Sequence, residues 1–252
     1  MSTTSPLYEG KAKSLYTTDR EGILVQRFKD SATAFNGRKF ATLPGKGALN
    51  NRISSILFRL LRESGIDSHY VDTRNTRDMG VRAVRIVPLE VVVRNVVAGS
   101  LSTRLGLDEG VALRHPIVEL YYKRDDLGDP MICMDHAAVM QLATDAELQQ
   151  LKRMALEVND VLQPLWASAE LTLVDFKLEF GRTDSGLLLA DEISPDTSRL
   201  WDRTDPSRRM DKDVFRRDLG DLVETYTEVL RRLLTVAAAH DPGELTDAPS
   251  DR

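Results

Sequence analysis

Three charged residues alternate with apolar ones in Leu173-Val174-Asp175-Phe176-Lys177-Leu178-Glu179-Phe180, and an acidic pair, Asp191-Glu192, closes the next apolar run, Leu187 to Ala190. Successive side chains of a strand point to opposite faces. Asp175, Lys177 and Glu179 therefore share one face, while Val174, Phe176, Leu178 and Phe180 cover the other, which must be core. The linker Gly181-Arg182-Thr183-Asp184-Ser185-Gly186 has the composition of a hairpin turn. A turn centred near residue 184 sets Lys177 roughly opposite Asp191, with Glu179 as a diagonal neighbour. Two carboxylates within reach of each other, with a lysine beside them, make an oxygen-ligand site for Mg2+ and polyphosphate. The alternative is a solvated face with cross-strand ion pairs, the ordinary condition of one side of an antiparallel sheet.

A second constellation is Glu90-Val91-Val92-Val93-Arg94 followed by Ala98-Gly99-Ser100-Leu101. Glu90 and Arg94 share a strand face, and Ser100 is placed to cap a short helix from Leu101 to Leu105. An arginine beside a helix start suits a small phosphate; a plain serine cap with a surface ion pair is the competing reading. Glu9-Gly10-Lys11-Ala12-Lys13 puts two lysines around a glycine turn, either a flap over phosphates or a solvated tip. Pro44-Gly45-Lys46-Gly47 opens a strong helix but matches neither G-x-x-x-x-G-K-[ST] nor G-x-G-x-x-G. After the acidic pair, Ser194 to Asp202 forms a polar loop in which Asp196 and Arg199 either face a ligand or bond each other. Histidines 69, 115, 136 and 240 fit no zinc spacing, and Cys133 has no second thiol and no surrounding nucleophile motif.

Elements must hold these groups. Leu7–Glu9, Ser14–Tyr16 and Ile23–Phe28 read as an antiparallel meander, followed by a turn-rich stretch from Asn36 to Gly47. Leu49, Ile53, Ile56, Leu57, Leu60 and Leu61 mark one helical face, stopped by Gly65. Strands are expected at 68–72, 81–87 and 89–97. A polar connector, 121–130, leads to a helix from Thr144 to Ala167 that Pro164 would kink or end. Strands at 171–180 and 187–193 precede a last helix with an apolar stripe from Phe215 to Leu233. Segregated strands and helices make the class α+β. The expected organisation is a β-rich N-terminal lobe with one helix (1–87), an α+β lobe carrying acceptor and metal sites (88–239), and a disordered polar tail (240–252).

The chain has 252 residues, with 34 Lys plus Arg against 39 Asp plus Glu, a net charge of −5. That balance gives no general attraction to nucleic acid or anionic membranes, although a local basic pocket is compatible with it. A single cysteine, no apolar run of 18 residues and no leader-like N-terminus fit a soluble protein of a reducing cytoplasm.

Taken together, the segments resemble the phosphoribosylaminoimidazole-succinocarboxamide synthase, or SAICAR synthetase, family. The resemblance rests on Tyr8-Glu9-Gly10-Lys11-Ala12-Lys13, Phe28-Lys29-Asp30 through Ala34-Phe35-Asn36-Gly37, Gly45-Lys46-Gly47, and Pro88-Leu89-Glu90-Val91-Val92-Val93-Arg94-Asn95 with Ala98-Gly99-Ser100-Leu101. It continues through Asp175 to Gly181, Asp191-Glu192-Ile193-Ser194-Pro195-Asp196, Ser198 to Asp202, and Asp211-Lys212-Asp213 with Phe215-Arg216, in the family's order over roughly residues 8 to 235. Arg38-Lys39-Phe40 and Met131-Ile132-Cys133-Met134 are less typical of it.

The resemblance implies ATP-dependent joining of L-aspartate to the carboxylate of carboxyaminoimidazole ribonucleotide (CAIR) through an acyl phosphate, in purine biosynthesis. It implies two lobes similar to the ATP-grasp and kinase-like arrangement, with ATP between them. On this resemblance Lys177, Glu179 and Asp191 are catalytic, with Glu179 and Asp191 holding Mg2+. ATP is expected at Lys11, Ala12, Lys13, Leu15, Lys123 and Glu179, its adenine against the backbone of an interlobe strand, 82–87, that includes Arg85 and Ile86. Arg94, Ser100 and Arg199 are implied for the ribotide 5′-phosphate, with Glu90 and Asp196 at its ring or ribose. Lys46 and its glycine loop are aspartate candidates only. The implied partners are the small-molecule substrates ATP, CAIR and L-aspartate, with no nucleic acid and no membrane; a homo-oligomer is compatible with it. A related phosphotransferase with another carboxylate acceptor, or a non-catalytic nucleotide-binding module, would be told apart by ribotide competition and by loss of a metal carboxylate.

Overall fold

The computed structural model describes residues 5–35 and 37–240; residues 241–252, nearly all of the expected tail, lie outside the described residues. Alternating apolar and polar residues build β1 (Tyr8–Glu9), β2 (Lys13–Thr17) and β3 (Ile23–Phe28), the meander read from the sequence. The turn-rich stretch contains a separate hairpin, β4 (Ser31–Ala34) and β5 (Lys39–Thr42), which alternation too short to register had concealed. Helix α1 (Lys46–Glu63) buries the expected stripe, Ile53, Ile56, Leu57 and Leu61. β6 (Tyr70–Thr73) and β7 (Asp78–Arg82) complete a five-stranded sheet ordered β1-β2-β3-β7-β6.

The chain changes sheets at Ala83-Val84 and enters β8 (Arg85–Val96), so 82–87 is a crossing between two sheets and not one strand. After α2 (Ser100–Leu105) come β9 (Ala112–Tyr122), a 3-10 turn at Asp125–Leu127, β10 (Met131–Ile132) and α3 (Met134–Val139). Strand β9 is absent from the sequence reading because Pro116 counts against a central strand. The ladder tolerates it: pairing with β8 is irregular between Arg94 and Val96, on the side where Pro116 falls.

Helix α4 (Asp145–Ser168) starts in a capping box, with Thr144 N donating to Glu147 Oε2 (2.8 Å) and Glu147 N to Thr144 Oγ1 (3.2 Å). Pro164 does not end it, and Leu148, Leu151, Val158 and Leu162 lie buried towards β8, β9 and β11. β11 (Leu171–Thr183) is the long central strand; β12 (Gly186–Ala190) and β13 (Ser198–Asp202) both run along its other edge, giving a sheet ordered β10-β9-β8-β11-β12 with β13 beside it. The expected last helix is two pieces, α5 (Asp213–Arg216) and α6 (Leu222–His240). Gly220 at φ 151° breaks the helix, and Asp221 restarts it by accepting from the amides of Val223 and Glu224.

The apolar faces of both sheets, with α1, α4 and α6, contribute to one continuous core. Among the described residues no helix is long and apolar enough to cross a membrane.

Candidate active site

Register assembles the site. In the six-stranded sheet Glu90 pairs with Glu179 and Tyr121, Val92 with Lys177 and Glu119, and Arg94 with Asp175 and Ile117. Paired residues lie on the same face, so β8, β9 and β11 present Glu90, Arg94, Glu119, Tyr121, Asp175, Lys177 and Glu179 on one side. Phe176, Leu178 and Phe180 line the core on the other, as expected. Val174 departs from the expected face: a bulge between Leu173 and Asp175 in the pairing with β13 places it in a small separate cluster with Ala98 and Trp201.

The hairpin register also differs from expectation by one residue. Glu179 pairs with Ala190, so an extended Asp191 would oppose Leu178 and turn towards the core. The ladder ends at Ala190, and Asp191 takes the left-handed conformation at φ 65°, which a short polar side chain tolerates. Its carboxylate thereby lies 3.8 Å from Lys177 Nζ, which also donates to Glu179 Oε1 (2.7 Å) and Glu90 Oε1 (3.0 Å). Lys123 donates to the second Glu179 oxygen. From the five-stranded sheet Lys13 reaches both Asp191 and Glu192 Oε1, the latter at 2.7 Å.

The electrostatics of this cluster are mutual. Burial alone would lower the pKa of Lys177, but Glu179, Asp191 and Glu90 outweigh it and raise the pKa well above the lysine range. Lys13 is raised in the same way by Asp191 and Glu192 against its burial. Burial works to raise Asp191; Lys13 and Lys177 overcome it and hold the acid well below its ordinary value. The expected pair Glu179 and Asp191 thus converges on shared lysines, and Glu90 belongs to this cluster.

The Asp191 loop is fastened from three sides. Asp191 O accepts from Gln26 Nε2 (3.1 Å) and lies 3.1 Å from His69 Nε2. Ser54 on α1 accepts from Ile193 N, and two turns earlier on the same helix face Lys46 pairs with Asp196. Tyr226 on α6 donates to the other Asp196 oxygen (2.6 Å). Asp196 is therefore buried and committed to protein partners; its bonds are to Lys46 and Tyr226, not to Arg94 or Ser100. Helices distant in sequence pack against its loop and give Asp196 this structural role beside the ribotide contact expected of it.

Beside this cluster, Asp175 binds two arginines. Arg94 Nη1 donates to Asp175 Oδ2 (2.8 Å) and its Nε to Glu119 (2.7 Å), while Arg199 Nη1 donates to both Asp175 oxygens (3.0 and 2.8 Å). Arg94 Nη2 donates to Ser100 Oγ (2.9 Å) and Tyr121 Oη (3.0 Å). Ser100 does not cap α2, whose N-cap is Gly99, because its hydroxyl turns to Arg94. Gly99 has φ 52° and ψ −128°, and a Cβ there would lie 2.5 Å from Arg199 Nη2. Only glycine lets the backbone approach the guanidinium this closely. Arg94, Ser100 and Arg199 are thus brought together as expected. Glu119, Tyr121 and Glu192 were missed; Ile117-Val118-Glu119-Leu120-Tyr121 alternates, but the preceding proline masked it.

The remaining expected residues lie around the β1–β2 turn and the crossing. Lys11 is 58% exposed and bonds Asp125 Oδ1 (2.8 Å) next to Lys123. Ala12 O accepts from Lys29 N (2.8 Å), and Leu15 pairs with Tyr8 and Gln26. Arg85 and Ile86 pair with Arg182 and Gly181 at the start of β8.

Fold and site together define an α+β enzyme whose sheet face gathers carboxylates and cations suited to phosphate-bearing substrates. A family model described as SAICAR synthetase matches residues 6–233, and the chain belongs to that family. The phosphoribosylaminoimidazole-succinocarboxamide synthase of Anoxybacillus flavithermus is 58% identical over 228 residues, 90% of this chain and 95% of the relative. The crystal structure of the synthase from Ehrlichia chaffeensis superposes with a TM-score of 0.89 at 44% identity, covering 91% of this chain and 98% of that one. A SAICAR synthetase solved in complex with ADP gives 0.88 at 50% identity, covering 90% and 97%.

Proposed function

We infer that the chain joins L-aspartate to the carboxylate of CAIR with ATP, giving SAICAR, ADP and phosphate in purine biosynthesis. The observation that carries this reading is one sheet face holding the Lys177–Glu179–Asp191 cluster directly beside the Arg94–Asp175–Arg199 cluster. One can take a polyphosphate and the other a phosphate monoester.

A carboxylate is a poor electrophile because its leaving group would be oxide. In the proposed route a CAIR carboxylate oxygen attacks the ATP γ-phosphorus, the bond to the bridging oxygen breaks, and ADP leaves. The aspartate amine then attacks the acyl carbon. The carbon–oxygen bond of the acyl phosphate breaks with its electron pair going to phosphate, and the amine proton is lost to solvent. The protein's work is alignment and charge neutralisation.

In this assignment Lys11, from the Gly10–Ala12 turn, and Lys13, at the start of β2, cover the ATP phosphates, with Leu15 near the adenine. Arg85 and Ile86 offer backbone to its edge, and Lys123 and Lys177 meet the phosphates. Glu179 and Asp191 would hold Mg2+. The described residues contain no group of three or more His, Cys, Asp or Glu side chains that could cage a metal. Two carboxylates converging where cationic lysines now sit nevertheless fit Mg2+, which is usually held by one or two carboxylates with substrate phosphates and water. The ion would neutralise charge on the transferring phosphoryl group. Arg94, Ser100 and Arg199 take the ribotide phosphate, and Glu90 approaches its polar groups from the Lys177 side. Asp196 contributes by fixing the loop that carries Asp191. ATP then lies between the lobes 1–87 and 88–239, and the enzyme works in the cytoplasm on small molecules.

The test is ADP release by purified protein with each component omitted in turn. ADP formation requiring CAIR, aspartate and Mg2+ together is expected; equal release without the ribotide would overturn the reading.

A further inference from the structure

Asp191 serves the proposed cluster only because its backbone is turned out of the strand. In extended backbone its side chain would face the core opposite Leu178; at φ 65° the carboxylate comes to Lys177 and Lys13. That left-handed conformation is unfavourable for a residue with a Cβ, and it persists only where the surroundings fix it.

The groups that fix it come from the other sheet. Asp191 O accepts from Gln26 Nε2 at 3.1 Å and lies 3.1 Å from His69 Nε2. A carbonyl oxygen has two lone pairs and no proton, so the His69 ring carries its proton on Nε2 and both side chains donate to the one oxygen. Both are buried and neither is free to swing. The Phe58 ring meets the imidazole in a T-shaped contact, 5.5 Å between centroids. The His69 backbone is tied as well, its N donating to Leu189 O (2.7 Å) and its O accepting from Arg82 N (2.7 Å). Gln26 sits within β3, paired with Leu15 on one side and Met79 on the other.

The consequence is directional. A return of Asp191 to extended backbone would break both bonds to its carbonyl and carry the carboxylate away from Lys177. We propose that His69 and Gln26 are positioning residues: by donating together to Asp191 O they keep its carboxylate aimed at the place assigned to Mg2+, a role that rests on the ligase reading above. Replacing groups that orient a metal ligand in this way costs about 10- to 100-fold in metal affinity or activity.

The test compares wild type with His69→Leu and His69→Gln, reading Mn2+ binding in the presence of ADP by electron paramagnetic resonance alongside ADP release. Leucine removes the donor and keeps an apolar side chain against Phe58, whereas the glutamine amide nitrogen reaches the place of Nε2. His69→Leu should weaken Mn2+ about tenfold and raise the Mg2+ needed for half-maximal ADP release by a similar factor. KM for the ribotide should stay within about twofold, because the arginine cluster is a separate site. His69→Gln should recover most of the loss, and Gln26→Leu should weaken Mn2+ as His69→Leu does. Wild-type Mn2+ affinity in either leucine variant overturns the joint role. His69→Gln as impaired as His69→Leu also overturns it, since packing on Phe58 would then be the cause. A measurement on wild type covers a variant that does not fold: in a long-range 1H–15N spectrum of metal-free protein at neutral pH, His69 should be the Nε2–H tautomer. The Nδ1–H tautomer overturns the proposal. Wild type that binds Mn2+ with ADP and yet releases no ADP from ATP with CAIR and aspartate sinks the ligase reading alone, so the two failures are distinct.

Discussion

Asp191 reaches to within 3.8 Å of the Lys177 ammonium from outside the ladder that carries Lys177, because its left-handed backbone turns it off the strand after Ala190. Geometry and charge can therefore be separated by substitution. Asparagine tolerates φ 65° nearly as well as aspartate, so Asp191→Asn removes the charge and keeps the turn. It should lower kcat by about a thousandfold or more, a magnitude set by loss of transition-state charge stabilisation, with the protein still folding cooperatively at a lowered melting temperature because Lys13 and Lys177 lose a partner. ADP release and a thermal melt check both; full activity in this variant would remove Asp191 from the metal assignment.

Asp175 lies between Arg94 and Arg199 and is nearly fully buried. Removing the acid leaves two guanidinium groups without their common partner. Asp175→Ala should cost about 3–5 kcal/mol of stability, the range for breaking a buried ion pair from one side. Urea titration reads the loss, and a midpoint unchanged from wild type would show that the pairs carry no net stability.

Gly99→Ala places a Cβ 2.5 Å from Arg199 Nη2 at a backbone conformation that L residues rarely adopt. Arg199 must move. The expected result is a rise of about tenfold or more in KM for the ribotide, as for a lost charge-assisted contact, with KM for ATP nearly unchanged. Equal rises for both substrates would mean that the damage spreads beyond the arginine cluster.

His69 is buried against Phe58 and beside Asp191 O, and burial is the main cause that draws its pKa down to about 4. Its ordinary value is 6.5. The folded state thus binds this proton more weakly than the unfolded chain. Stability from this group is complete above about pH 6.5 and declines as pH falls towards 4, by on the order of 3 kcal/mol at full titration. Asp211 acts oppositely: burial, with Asp213 nearby, raises it to about 7, so it favours the folded state as pH falls. Comparing wild type with His69→Gln cancels the Asp211 contribution. The variant should show a shallower loss of stability between pH 6.5 and 4 in denaturant titrations, and parallel pH profiles would exclude His69 as the cause.

Local patterning made much of this molecule legible. The alternation from Leu173 to Phe180 announced a polar face bearing Asp175, Lys177 and Glu179, and the stripe from Ile53 to Leu61 announced α1. Where a local signal was ambiguous, the reading failed. Pro116 hid β9 and with it Glu119 and Tyr121. Phe215 to Leu233 kept helical spacing through a break that Gly220 and Asp221 impose. Ser100 looked like a cap because a cap is a local device, whereas its partner, Arg94, lies on a neighbouring strand.

The sequence by itself determined the α+β class, the family resemblance and which side chains share a strand face, since these follow from periodicity and from motifs in order. Only the tertiary structure decided which faces meet. It paired Lys13 with Asp191 across two sheets and clamped Asp196 between α1 and α6. The physical reason is separation along the chain. Lys13 and Asp191 are 178 residues apart, and their contact depends on packing between elements that neither residue's local sequence encodes.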